Sequence, residues 1–355
     1  MKKRLFAIIF AVCLTLPLLA SCAGGKDADV HVFYYTYSDP YISTVRSALD
    51  SALAGNGITY QGYDGNGNQT TQTEQVRTAI TKGARAILVN IVNTGSDDAA
   101  REITELAKNA NVPVIFFNRE VSDEVVKSYD RCAYVGTRAE ESGILQGELI
   151  GEYLLANYDS YDLNGDGRIS YILFKGEEGN NEAIFRTKYS VEEANKLLAE
   201  AGKKPLRFYD ASNSNGYLVD KNGLWSATAA NEYMTTALTE YNAASGNMIE
   251  LVICNNDGMA EGAISALNSV GYNTGSDAPS IPVFGVDATE AAKSLIANKK
   301  MHGTIKQDAE GMANALLHLS KNALTEGRDL MADTGSFTID ENVRKIRIAY
   351  EKYVG

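Results

Sequence analysis

The chain has 355 residues, 45% of them hydrophobic and 22% charged, with 31 Gly, 6 Pro, 4 Cys and 1 Trp. That balance belongs to a folded globular protein, excludes disordered, collagen-like and disulfide-stapled chains, and at this length suits two domains. A net charge of −12 argues against a nucleic-acid partner held through phosphates, and three scattered histidines (His31, His302, His318) exclude a His-rich metal centre.

Lys2, Lys3 and Arg4 precede an apolar run over residues 5–19, the two parts of an export signal, and the run is too short for a membrane span of roughly 20 residues. It ends Leu19-Ala20-Ser21-Cys22, which resembles the bacterial lipobox. That resemblance implies a lipoprotein signal over residues 1–22, lipid on Cys22 and a polar tether at 23–29. Losing the signal's three cations takes the net charge from −12 to −15. Cys13 leaves with the signal, while Cys132 and Cys254, in apolar strand-like runs, read as buried free thiols.

From residue 30 onward, short β-rich runs alternate with helical spacing. Strands are expected at 30–35 (VHVFYY), 86–90 (AILVN), 112–117 (VPVIFF), 169–174 (ISYILF), 206–209 (LRFY), 249–254 (IELVIC) and 281–286 (IPVFGV). Apolar residues spaced by three and four mark helices around 45–53, 76–80, 103–107 and 259–267. Nearly continuous apolar strands alternating with helices predict doubly wound parallel α/β sheets.

Such sheets bind ligands beyond the carboxyl ends of their strands. Asp39, Asn118, Arg119, Glu120, Glu177, Glu178, Asn255, Asn256, Asp257, Asp287, Gln307 and Asp308 all follow strand-like runs. Amides, carboxylates and a guanidinium with no Ser/His or Cys/His pairing describe a hydrogen-bonding cleft rather than a reaction centre. Any one of them alone also reads as a helix N-cap or turn former.

The runs at 112–120 (VPVIFFNRE), 134–146 (YVGTRAEESGILQ), 162–167 (DLNGDG), 253–257 (ICNND) and 281–287 (IPVFGVD) resemble the periplasmic galactose/glucose-binding proteins, in the family's order. Members of that family are the substrate-binding components of sugar ABC transporters and primary receptors in sugar chemotaxis. The resemblance implies a type I periplasmic-binding-protein fold, two parallel-sheet lobes joined by a three-strand hinge. The first lobe would take residues 30–136 and 308–342, the second 137–307 and 343–355. It further implies a monomer that closes on one monosaccharide without altering it, docks a membrane ABC permease, and works on the extracytoplasmic face.

Matched motif by motif, the family's sugar contacts fall on Asp39, Tyr41, Asn118, Asn180, Glu182, Arg186, Trp225, Asn256, Asp287 and Gln307. The chemistry agrees: planar amides, carboxylates and a guanidinium pair with neighbouring hydroxyls, and Tyr41 and Trp225 offer aromatic plates to the apolar ring faces. The chain has Asn180 where the family usually has His, Glu182 for Asp, Gln307 for Asn and Tyr41 for Phe. Hexose binding tolerates these changes, but the choice among aldoses does not follow from them.

Residues 162–170 (DLNGDGRIS) place oxygen ligands at loop positions one, three, five and nine, a glycine at six and a carbonyl at seven. Position twelve, where an EF-hand has Glu, is Leu173. In the resembled family the bidentate carboxylate comes from a later strand, here Glu250. The implied ligands of a structural calcium are therefore Asp162, Asn164, Asp166, Arg168, Ser170 and Glu250, against the plainer reading of an Asx-rich turn.

Residues 65–68 (GNGN) read as a connection with Asn68 at the cleft edge, and 212–222 as a polar surface insertion. The alternative function is a glycosidase using acids such as Glu182 and Asp287. Glu177 and Glu178, adjacent in the chain, do not suit that chemistry. A sugar-responsive repressor would need a basic N-terminal helix-turn-helix where this chain has an export signal.

Overall fold

The computed structural model describes residues 28–340 and 342–355, so the signal segment, Cys22 and most of the tether lie outside the described residues. The first half alternates as expected: β1 (Val30–Tyr34), α1 (Pro40–Gly55), β2 (Tyr60–Asp64), α2 (Gln69–Thr81), β3 (Ala86–Val89), α3 (Asp98–Asn109), β4 (Val114–Phe117), α4 (Asp123–Lys127) and β5 (Cys132–Gly136). The second half runs α5 (Ala139–Ala156), α6 (Tyr158–Tyr161), β6 (Ser170–Lys175), α7 (Asn181–Glu200), β7 (Arg207–Phe208), β8 (Leu218–Val219), α8 (Ala227–Glu240), β9 (Leu251–Cys254), α9 (Asp257–Ser269), β10 (Val283–Asp287), α10 (Glu290–Ala297) and β11 (Gly303–Gln307). The chain ends with α11 (Ala309–Leu324), β12 (Thr338–Ile339), β13 (Lys345–Arg347) and β14 (Tyr350–Tyr353).

Two sheets result. The first has the order β12-β13-β5-β4-β3-β1-β2 and the second β14-β11-β10-β9-β6-β7, with β8 also on β6. Both are parallel except at one edge each, where β12 pairs with β13 and β14 with β11 antiparallel. The central strands are buried end to end, and each sheet has an apolar cluster on both faces. Double coverage is why those strands carry unbroken apolar runs. Cys132 and Cys254 sit in these interiors, free and buried, and burial pushes the Cys132 thiol up to about 12.

The chain passes between the sheets three times: from β5 to α5, from β11 to α11, and from β13 to β14. The third passage corrects the expected boundary after residue 342. β13 pairs in parallel with β5 (Ile346 opposite Val135), and Ile346 and Ile348 are buried in the first lobe's core, so residues 345–347 belong to that lobe. At this hinge Thr137 and Tyr350 share a hydroxyl contact at 2.9 Å, and Ile348 N donates to Gly136 O.

α5 lies flat on α7 because Gly143, Gly147 and Gly151 recur one helical turn apart on the facing side. A Cβ on Gly147 would stand 2.6 Å from Tyr189 O and 2.8 Å from Glu193 Cβ. The absence of side chains there lets the two backbones approach. This contact matters for the site, because α7 carries Glu182 and Arg186 in its first two turns.

Residues 212–222 are more than a surface insertion. β8 extends the second sheet, and Asp220, 3% exposed, accepts from Ser226 N at 3.0 Å and Ser226 Oγ at 2.8 Å. It thereby fixes the residue that caps α8, next to Trp225. The Asn68 side chain caps α2 by accepting from Thr71 N.

Candidate ligand-binding cleft

The carboxyl ends of both sheets face each other across one cavity with about 360 Å³ of empty space, lined by Tyr35, Asp39, Tyr41, Asn118, Arg119, Asn180, Glu182, Arg186, Trp225, Asn256, Asp287 and Gln307. All ten residues expected from the sequence are brought together there, and two are added. Arg119 already belonged to the strand-end set. Tyr35 was hidden by the apolar run it ends.

Several wall residues are also helix caps. Asp39 Oδ1 accepts from Ile42 N at 2.9 Å, Asn180 Oδ1 from Ala183 N at 3.1 Å and Asn256 Oδ1 from Met259 N at 2.9 Å. The N-termini of α1, α7 and α9 therefore all point at the cavity, held by one atom of a side chain whose other atom is left for further work. Asp39 Oδ2 takes the Tyr35 hydroxyl at 2.6 Å, and Asn256 Nδ2 donates to Trp225 O at 3.2 Å. Asn180 Nδ2 reaches across the lobes to Thr94 Oγ at 3.2 Å.

The backbone is unusual at the same places. Asn118 (φ 60°), Trp225 (φ 56°), Asp287 (φ 127°) and Ala288 (φ 55°) all lie in the left-handed region that non-glycine residues avoid. Such geometry persists only where surrounding bonds over-determine it, and it concentrates at functional sites. Asn118 Oδ1, for example, accepts from Asn90 Nδ2 at 3.0 Å.

Arg186 is buried and donates to Asn255 O at 2.8 Å, Ser142 Oγ at 3.2 Å, Tyr350 Oη at 3.0 Å and Gln307 Oε1 at 3.4 Å. It is the fixed positive charge of the second lobe. Around it the carboxylates are costly: burial raises Glu182 to about 7 even with Arg186 beside it, and burial drives Asp287 well above the usual carboxylate range. Tyr41 Oη, Arg119 Nε, Glu182 Oε1 and Gln307 Nε2 are buried without a hydrogen-bond partner. Buried polar atoms are seldom left this way, so four on one cavity mark groups waiting for a polar ligand. Donors and acceptors both appear among them, as polyhydroxyl recognition needs. Tyr41 and Trp225, on opposite lobes, supply aromatic surface. Glu177 and Glu178 are engaged elsewhere, with Arg119 and Lys175 respectively, and do not face each other as an acid/base pair.

The 162–170 loop fits a cation only in part. Asp162 Oδ1 is buried without a partner, which suits a metal ligand. Glu250, fully buried, reaches the loop as expected, but Oε1 takes Leu163 N at 2.8 Å and Asn164 N at 3.2 Å, and Oε2 takes Ser170 N at 2.7 Å and Ser170 Oγ at 3.0 Å. Burial raises its carboxyl against those bonds. Asp166 turns away to Arg207 at 2.8 Å, so among the described residues no three acidic, His or Cys side chains converge on one point.

Residues 30–329 match the family described as periplasmic binding protein domain. Over 352 residues, 99% of this chain and 96% of the relative, the sequence is 35% identical to the D-galactose/methyl-galactoside binding periplasmic protein MglB of Haemophilus influenzae. An ABC transporter solute binding protein from Bacillus halodurans, solved with bound myo-inositol, superposes with a TM-score of 0.68 at 24% identity, covering 93% of this chain and 96% of that one. Another from Clostridium phytofermentans, with bound β-D-glucose, gives 0.69 at 20% identity, covering 92% and 93%. Among the described residues no helix is long and apolar enough to cross a membrane. With two parallel-sheet lobes, three passages between them and a polar cavity at the facing strand ends, the chain is a binding protein that belongs to the periplasmic binding protein domain family.

Proposed function

We propose that this chain captures a monosaccharide, with galactose and glucose the foremost candidates, and delivers it outside the cytoplasm to a membrane ABC importer. The observation that carries this reading is the cluster of four unpartnered polar atoms, Tyr41 Oη, Arg119 Nε, Glu182 Oε1 and Gln307 Nε2, on one cavity between two lobes. Their mixture of donors and acceptors matches ring hydroxyls, which do both.

The mechanism is closure. Asp39, Tyr41 and Asn118 contact the sugar from the first lobe, and Asn180, Glu182, Arg186, Trp225, Asn256, Asp287 and Gln307 from the second. A ligand that touches both lobes binds the closed state better than the open one and shifts the equilibrium toward it by that difference. The closed monomer is then what the permease reads. Lipid on Cys22 would keep it at the membrane surface. Galactose is favoured by the relative in Haemophilus influenzae, while Asn180, Glu182, Gln307 and Tyr41 leave room for a different hydroxyl pattern.

Calcium at the 162–170 loop is part of the same proposal. Asp162, Asn164, the Arg168 carbonyl, Ser170 and Glu250 would hold it, with Asp166 joining after release from Arg207. The ion would supply charge neutralisation to a loop of the second lobe and take no part in sugar capture.

The deciding experiment is a thermal-shift panel of aldoses, ketoses, myo-inositol and other sugar alcohols on the purified protein, with the sugar recovered and analysed afterwards. Stabilisation by an aldose recovered unchanged supports the reading. No shift with any monosaccharide refutes it.

A further inference from the structure

Resting on the sugar-binding reading, we infer that Arg119, beyond the ligand contact its free Nε offers, positions Trp225 across the cleft through Glu177, so that the second lobe's aromatic plate is fixed only when the lobes close.

Arg119 follows β4 in the first lobe. Its guanidinium lies 4.4 Å from the Tyr35 ring centroid, and Nη2 donates to Val92 O at 2.9 Å, so it is held from two sides of its own lobe. The same Nη2 donates to Glu177 Oε2 at 2.6 Å, and Glu177 follows β6 in the second lobe. The side chains are 6% and 20% exposed, so water screens this pair little. Glu177 Oε2 also accepts the indole N–H of Trp225 at 3.4 Å.

Trp225 depends on that acceptor. Its backbone is left-handed, and its ring lies against Gly176, where a Cβ would collide with the indole. The slot sets the plane of the ring, and Glu177 sets its in-plane rotation. Gly223 (φ 64°) leaves space for the Glu177 stem, since a Cβ there would stand 3.1 Å from Glu177 Cγ. When the lobes part, Arg119 leaves with the first lobe and Glu177 becomes a solvated carboxylate free to turn. The indole then loses its fixed partner. Closure therefore restores the ring orientation that sugar stacking needs, and the ion pair adds its own bias toward the closed state.

Trp225 is the only tryptophan in the chain, so intrinsic fluorescence reports on it alone. Acrylamide quenching would be measured for wild type, Arg119→Met, Glu177→Gln and the double variant, with and without D-galactose and D-glucose, alongside calorimetry and the sugar-free melting temperature. Expected are unchanged melting, sugar affinity about tenfold weaker in Glu177→Gln and at least as much weaker in Arg119→Met, and a Trp225 that stays quenchable at saturating sugar where wild type becomes shielded. The double variant should be no weaker than Arg119→Met, because residues acting as one unit are not additive. Wild-type affinity with full shielding in both single variants, or additive losses in the double, overturns the inference. A wild type that binds neither sugar sinks the sugar-binding reading instead. The relay is then judged at saturating concentration of any member of the wider ligand panel that shields Trp225 in wild type, where both single variants must stay quenchable and full shielding in both overturns it.

Discussion

Thr304 donates its hydroxyl to Asp257 Oδ1 at 2.6 Å and thereby ties the middle of β11 to the first turn of α9. The same carboxylate accepts from Thr289 N at 2.8 Å through Oδ2, while Ala288 N points at Thr304 Oγ at 3.4 Å. The left-handed pair Asp287 and Ala288 lies within this net. Gly285 makes it possible, because a Cβ there would run into Asp257 Oδ1. Asp257→Asn replaces one acceptor by a donor, and Thr304→Val removes the hydroxyl. Each should weaken sugar binding about tenfold through misplacement of Asp287. Calorimetry on variants with cooperative melting checks this, and unchanged affinity in both would separate Asp287 from its supports.

Trp225→Ala removes the second lobe's plate, and Asp287→Ala removes a buried carboxylate from the cavity wall. Each should cost at least about 100-fold in affinity while the fold persists, because the sugar's partners are left buried and unpaired. Wild-type titration curves for both would remove the cleft as the binding site.

Glu182 makes ligand-free stability depend on pH. Its carboxyl ionises near 4.5 when unfolded and near 7 when folded, so between those values the folded state holds a proton that the unfolded state has released. The stability this group contributes is complete below pH 4.5 and is lost as pH rises through 7. Glu182→Gln should therefore gain more in melting temperature over wild type at pH 8 than at pH 5. A constant difference across that range would mean Glu182 titrates normally.

For the 162–170 loop, EDTA should lower the melting temperature of wild type but not of Glu250→Gln, which has already lost the bidentate anion. Arg207→Gln, which frees Asp166, should enlarge the response to added calcium. Equal responses in all three proteins, read by differential scanning calorimetry, would leave the loop as an Asx-rich turn closed by Glu250 alone.

The α5–α7 contact gives a stability test away from the cleft. Gly147→Ala meets backbone oxygens of Tyr189 and Ser190 and should cost about 1–3 kcal/mol in urea unfolding. Gly151→Ala meets mainly the Leu197 side chain, which can turn aside, and should cost less. The reverse order would show that the helices separate rather than strain.

The strands most visible in the sequence are those covered on both faces. β1, β3, β4, β6, β9 and β10 carry continuous apolar runs and appear within one or two residues of expectation. β2 (Tyr60–Asp64) did not stand out, because it is a half-buried edge strand with Gln61 and Gly62 at its centre. The sequence expectation places β13 in the other lobe because three residues carry no signal of which sheet they join; only the pairing of Ile346 with Val135 decides it. The cleft was legible as strand-end polar residues, since topology alone sends them to one place. What stayed hidden depends on tertiary pairing: Arg119 with Glu177, 58 positions apart, and Asp166 with Arg207, 41 positions apart. Loop spacing can list ligands for a cation, but it cannot say that an arginine from another strand holds one of them.

Because Asp39, Asn180 and Asn256 each begin a helix as well as face the cavity, altering them damages scaffold and recognition together. Tyr41, Glu182 and Gln307 carry no such second duty. Drift in sugar preference among descendants of this chain is thereby channelled to these three positions, where a new hydroxyl pattern can be tried without first unmaking a helix cap.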